Sequence, residues 1–183
     1  NYQEALSIRP DHFSIYKLAY VYAIQEEYSE TMKWLDRYIA FKPPGDDILT
    51  VYLMRGFYNF WLGKLDNAIR DLHFCENLSD QGGFEYLCDQ SYWLSAWVYA
   101  AKTDFNLARK IFYNWSDRRL KKYQKNILYY HTIAHLYTGL VDLKQGRTDS
   151  ASAKGVIIDS LFNKDEKPSR ILKYLVTFYR AEV

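Results

Sequence analysis

A chain of 183 residues with 49% hydrophobic side chains can bury the core of one globular domain or one short repeat array, and it lacks the composition of a disordered segment. Its 24 Lys+Arg against 22 Asp+Glu leave a charge of +2, too small to recruit nucleic acid or a membrane surface by field alone. No run of about 18 apolar residues is present to span a bilayer, and the unusual feature is the aromatic share, with 18 Tyr, 10 Phe and 5 Trp.

In chain order, Asn1-Tyr2-Gln3-Glu4-Ala5-Leu6 reads as the tail of a helix, and residues 1–10 as the end of a preceding repeat. With no initiator Met, and with a C-terminal Tyr179-Arg180-Ala181-Glu182-Val183 that lacks a helix-ending signal, the expectation is a piece of a longer protein. Residues 12–45 form a first unit. Ile15, Leu18, Ala19, Tyr22 and Ala23 recur at helical spacing, and Tyr28, Leu35, Tyr38 and Ile39 lie on a partner helix. Pro43-Pro44-Gly45-Asp46-Asp47 breaks the chain, with Asp47 as the expected N-cap of the next helix. The second unit, residues 48–82, pairs a helix over about 48–62 with one over 66–78, turning at Gly63-Lys64. The third, residues 84–122, pairs about 84–101 with 106–115 across Lys102-Thr103-Asp104. The fourth, residues 125–163, pairs about 125–145 with 148–162 across Gly146-Arg147, and a terminal or capping helix covers 169–183. No alternating apolar/polar run bounded by turn dipeptides appears, so the fold class is all-α without strands.

One spacing ties these units together. Gly56, Gly63 and Ala68 recur 83 residues later as Gly139, Gly146 and Ala151; Ala96, Thr103 and Ala108 fit between them, and Ala19, Glu26 and Thr31 fit more loosely. Thr31, Ala68, Ala108 and Ala151 therefore share one slot, at separations of 37, 40 and 43 residues. Periods of that size indicate a solenoid of helical hairpins in which small residues let backbones approach.

With the aromatic slots added, the chain resembles the tetratricopeptide repeat family. The second unit carries Tyr52, Gly56, Gly63, Leu65, Ala68 and Leu72, and the third Tyr92, Ala96, Tyr99, Phe105, Ala108 and Phe112. The fourth keeps Gly139, Gly146 and Ala151, with His135 at the aromatic slot and Gly155 where a Phe is usual; the first keeps Leu18, Ala19, Tyr22, Tyr28 and Pro43. The resemblance implies a right-handed superhelical solenoid of antiparallel hairpins whose first helices line a concave face. It places Tyr16, Tyr20, Leu53, Phe57, Trp61, Trp93, Trp97, Leu136 and Leu140 on that face. None is charged and five are Tyr or Trp, which suits a peptide or amphipathic helix with apolar anchors. The same side chains also fit burial by the chain itself, or by a neighbouring segment. Family members that clamp a C-terminal carboxylate place Lys and Asn where Tyr16 and Tyr20 stand, so that type of clamp is not expected.

Other constellations are weaker. His131 and His135 have metal-ligand spacing, but Thr132-Ile133-Ala134 between them supplies no glutamate and the only nearby acid is Asp142. Arg118-Arg119-Leu120-Lys121-Lys122-Tyr123-Gln124-Lys125 reads as a solvated turn rather than a phosphate contact. Asn77-Leu78-Ser79 and Asn114-Trp115-Ser116 match three-residue glycosylation sequons. Cys75 and Cys88 read as two buried thiols, with a disulfide the alternative, and point to a cytoplasmic setting. No enzyme, metal or cofactor is expected. The leading expectation is a protein-interaction scaffold, with an apolar small-molecule sensor module and a self-association module (a homo-oligomer) as alternatives.

Overall fold

The computed structural model describes residues 12–41, 45–82, 85–122 and 126–183. The expected repeat end at 1–10 lies outside them, as do Pro43, Pro44 and the 123–125 part of the basic run. Among the described residues every regular element is helical: α1 (His12–Ile24), α2 (Tyr28–Ala40), α3 (Gly45–Trp61), α4 (Leu65–Gly82), α5 (Glu85–Ala101), α6 (Phe105–Lys122), α7 (Ile127–Lys144), α8 (Thr148–Lys164) and α9 (Arg170–Glu182). None is long and apolar enough to cross a membrane. The protein is all-α.

Four tight turns share one hydrogen-bond pattern. Glu26, Gly63, Thr103 and Gly146 each have positive φ, between 60° and 79°. In each case the following N–H reaches back five residues along the chain: Glu27 to the Tyr22 carbonyl, Lys64 to Asn59, Asp104 to Tyr99 and Arg147 to Asp142, at 2.8–3.0 Å. The left-handed residue itself donates to Ala23, Phe60, Ala100 and Leu143 respectively. This is the Schellman arrangement, which satisfies carbonyls left open at a helix end. The residue after the left-handed one then starts the next helix, because its own carbonyl accepts from Thr31, Ala68, Ala108 or Ala151. Only three residues thus separate the end of one helix from the start of its partner, and an antiparallel pair is the result. In the third turn the Asp104 carboxylate adds an N-terminal cap, accepting from the Leu107 N–H at 3.1 Å.

The four residues that close these turns, Thr31, Ala68, Ala108 and Ala151, are all fully buried. Their partners on the preceding helices, Ala19, Gly56, Ala96 and Gly139, are buried too. Thr31 is accommodated because its hydroxyl donates to the Glu27 carbonyl at 3.2 Å. A Cβ added to Gly56 would lie 2.7 Å from the Leu72 side chain and 3.5 Å from the Ala68 carbonyl oxygen, so the two helices have no room for a larger residue there. Ala68→Leu is expected to cost about 1–3 kcal/mol through overpacking, read as a lower melting temperature; an unchanged one refutes the tight contact.

The chain divides into two compact units, residues 1–94 and 95–183. In the first, α1 packs on α2, α2 on α3 and α3 on α4. Ile15, Ala19, Leu35, Tyr38, Val51 and Tyr58 form one core. Polar side chains cross it in a chain of contacts: Arg55 pairs with Asp36 at 3.1 Å and with the buried Asp71 at 3.4 Å, and Asn59 donates to Asp71 at 2.9 Å. In the second unit, α7 packs between α6 and α8, and α9 lies against α7 and α8. Ile133, Leu136, Ile158, Leu172, Val176 and Tyr179 make its core.

Three local expectations need correction. Asp47 does not cap α3, which begins two residues earlier at Gly45. The helix expected to end at Trp115 continues to Lys122. Arg118-Arg119-Leu120-Lys121-Lys122 is therefore its last turn rather than a loop. Basic side chains there complement the negative end of the helix dipole, which favours extension. Cys75 and Cys88 are both free, buried thiols, and the Cys75 thiol donates to the Leu49 carbonyl at 3.5 Å.

Candidate functional site

In the first unit, α3 and α5 bound an apolar hollow of about 300 Å³ lined by Leu53, Met54, Phe57, Gln90, Trp93 and Leu94. Helical spacing explains the grouping. Leu53 and Phe57 stand one turn apart on α3, as do Gln90 and Leu94 on α5, so each pair presents one face. Small residues at 56 and 96 leave these faces as the bulky sides of their helices. Leu53, Phe57 and Trp93, placed on the concave face by sequence, come together here.

Trp61 extends this lining. Its ring centroid lies 4.3 Å from that of Phe57, 6.1 Å from Tyr58 and 6.3 Å from Tyr28, yet the side chain is 58% exposed. A Trp held by three aromatic neighbours but open to solvent is a rigid apolar surface at little entropic cost. Tyr20 is also exposed, at 48%, while the side chain of Tyr16 falls outside the described residues.

The three remaining residues belong to the second unit and differ in character. Leu136 is fully buried and serves the core, not a surface open to a partner. Its helix packs between α6 and α8, so this face of α7 has no solvent side. Leu140 is half-buried against the same core. Trp97 is half-buried in an aromatic cluster, edge-on to Phe112 at 5.2 Å and to Tyr137 at 5.8 Å.

A polar cluster in the second unit had no counterpart in the sequence reading. Asp142 is fully buried at the end of α7 and accepts from Arg109 Nη1 at 2.7 Å, from Ser150 Oγ at 2.7 Å and from Lys154 Nζ, with Arg147 at 3.7 Å. Burial alone would raise its pKa, but the hydrogen bonds from Lys154 and Ser150 and the charges of Lys154 and Arg109 outweigh it and hold the carboxyl below the usual range. Arg109 also donates to Gln145 and Asn106 at 2.7 Å. The oxygens of Asp142 are thus committed to cations. His131 is exposed, whereas His135 is half-buried with its ring edge-on to Tyr113 at 6.2 Å; burial, then the charge of Lys154, lowers its pKa. Among the described residues no group of three or more His, Cys, Asp or Glu is placed to hold a metal ion.

A second hollow, of about 520 Å³, lies where Asn126, Ile127, Leu128, Tyr129 and Tyr130 at the start of α7 meet Asp165, Lys167 and Ser169 before α9. Ser169 caps α9 through the Leu172 N–H, and Asp165 accepts from the Lys167 N–H, so these polar groups are engaged in shaping the loop.

Compared with protein-family models, curated proteins and solved structures, the chain finds no match.

Proposed function

We propose that this chain is a non-enzymatic helical-repeat module of the tetratricopeptide type, a right-handed solenoid that captures a peptide or an amphipathic helix on an apolar, aromatic surface. The observation that carries this reading is the hollow between α3 and α5, where Leu53, Phe57 and Trp93 converge beside the exposed Trp61. Four recurrences of one turn, each followed five residues later by a buried small residue, support the repeat assignment. The hollow stands at the lower limit of the roughly 300–1,000 Å³ of pockets that enclose a drug-sized molecule, which favours one or two anchoring side chains over a whole small-molecule ligand.

Peptides selected on the wild-type protein from a displayed random library test the reading. Phe57→Ala and Trp93→Ala should each weaken the selected peptides by about 30-fold, the effect of losing an interface anchor worth about 2 kcal/mol. Equal affinity for wild type and both variants would reject the hollow as the site.

A self-association reading draws on a different surface. On α9, Leu172, Val176 and Tyr179 face the core, while Ile171, Tyr174 and Phe178 form an exposed stripe on another face, with Ile171 67% and Tyr174 71% exposed. Such a stripe on an outer helix is a candidate contact with a second copy. Sedimentation equilibrium should show mass rising with concentration, and Tyr174→Lys should abolish the rise; a concentration-independent monomer ends this reading.

A further inference from the structure

The two units carry opposite charge. Residues 1–94 hold 8 Lys+Arg against 14 Asp+Glu, a net −6, and residues 95–183 hold 16 against 8, a net +8. The near-neutral total conceals a basic unit, whose field acts on ligands in its own right. Inside that unit the cations gather at one end. Where α6 and α8 finish and α7 and α9 begin, residues 116–122, 126–131 and 160–174 carry eight Lys or Arg and three Asp or Glu, a net +5. The connecting Tyr123-Gln124-Lys125, outside the described residues, adds no carboxylate. Lys121, Lys164, Lys167, Arg170 and Lys173 form no ion pair among the described residues, so this charge is not cancelled locally.

The hollow of about 520 Å³ opens at this same end, and its volume lies within the roughly 300–1,000 Å³ of pockets that enclose a small molecule. Ile127, Leu128, Tyr129 and Tyr130 give it an apolar and aromatic side, while Asn126, Lys167 and Ser169 bring N–H and O–H donors. Ser169 accepts from the Leu172 N–H, which leaves its own hydroxyl hydrogen to donate. Asp165 is the one carboxylate in the lining, and it already accepts from the Lys167 N–H at 3.1 Å. Burial, then Tyr130, raises the Tyr129 pKa and Arg119 pulls it back, so a guanidinium charge also acts at that wall. A carboxylate ligand would bring a single negative charge to this field. A phosphomonoester brings about −1.5 to −2 at neutral pH with three acceptor oxygens, and a lysine ammonium holds it as a point charge. A long polyanion would meet the cations without using the hollow, whereas a small phosphate ester uses both.

We propose that the hollow at the basic end of the second unit binds a small organic phosphate, with the phosphate held by Lys167, Asn126 and Ser169 and the organic part against Ile127 and Leu128.

The test titrates the full chain calorimetrically with adenosine 5′-monophosphate and glycerol 3-phosphate, with adenosine and glycerol as their neutral counterparts, and with a short single strand of thymidylate. At least one of the two phosphates should bind, at least tenfold tighter than its neutral counterpart, and should weaken as salt is raised. Lys167→Gln should weaken it at least fivefold, and Ile127→Glu, which puts a carboxylate at the mouth of the hollow, should abolish it. Both positions are exposed, so the fold is spared, and an unchanged melting temperature checks this. Lys144→Gln, at the opposite end of α7, should leave the affinity as it was. Equal affinity for a phosphate and its neutral counterpart overturns the inference, as does phosphate binding that ignores Lys167→Gln and Ile127→Glu. Tighter binding of the strand, unaltered by either substitution at the hollow, replaces it with a nucleic-acid contact spread over the basic surface. No binding of either phosphate at millimolar concentration overturns it outright, and the peptide reading of the first unit stands or falls separately.

Discussion

Tyr179→Ala is expected to destabilise the protein by about 3–5 kcal/mol, the range for emptying a buried aromatic site. The reason lies in a gap that the fourth hairpin cannot fill itself. Four residues after each buried slot stands a large, fully buried side chain in the first three hairpins, namely Leu35, Leu72 and Phe112. The fourth has Gly155 there. Tyr179 enters from α9 instead: its ring lies where a Cβ on Gly139 would be, 2.7 Å from its Cε2 and Cζ, and 3.6 Å from a Cβ on Gly155. Its hydroxyl donates to the Ala151 carbonyl at 2.7 Å. The double variant Tyr179→Ala, Gly155→Leu should recover part of the loss, since leucine at 155 copies the Leu72–Gly56 contact. Additive losses in calorimetric or denaturant unfolding reject this account. Burial, and then the nearby Asp142 charge, push the Tyr179 hydroxyl up to about 12. Its folded pKa exceeds the unfolded value of about 10, so its contribution is complete below pH 10 and is lost as pH rises towards 12. Tyr179→Phe should cost about 0.5–1.5 kcal/mol at pH 7 and unfold less steeply with base than wild type.

Asp142→Ala is the second large effect, about 3–5 kcal/mol, because Arg109 and Lys154 would remain buried around a missing anion. The sign with pH follows from the depressed pKa. Stability from Asp142 is full above the unfolded carboxyl value of about 3.9 and falls away as pH drops through the lower folded value. Urea unfolding of wild type and variant should therefore converge in acid and differ most near neutrality. A difference that persists undiminished below pH 3 would discard the assignment. Replacing Lys154 by Met in the same molecule should recover part of the loss, since it removes a cation that has lost its partner.

Sequence patterning carried the helical class and the positions of the turns, because both rest on local rules: glycine tolerates positive φ, and small residues recur where helices touch. Glu26 and Thr103 were harder, since neither favours that conformation and only the shared spacing points to them. The extension of α6 through Arg118–Lys122 was missed because a basic run looks like a solvated loop unless its place at a helix end is known. The Asp142 cluster was out of reach for a different reason: Arg109 comes from 33 residues away, and no local signal links them. Glycine at 155 did hold a clue, as a missing volume that something else had to supply. For the candidate site, the register of α3 and α5 was readable, but the full burial of Leu136 depends on α6 and α8 closing over α7, which no single helix announces.

The three-residue reversals have a bearing on how the molecule assembles. Closing so short a loop sacrifices little chain entropy, and the contacts it brings are between near neighbours in sequence, the low contact order that goes with rapid folding. Each of the four pairs has the means to zip together early. The seal at the C-terminal end is of another kind, because Tyr179 must arrive from 28 residues beyond Ala151. Without the docking of α9, the space beside Gly139 and Gly155 that the Tyr179 side chain fills would stand open.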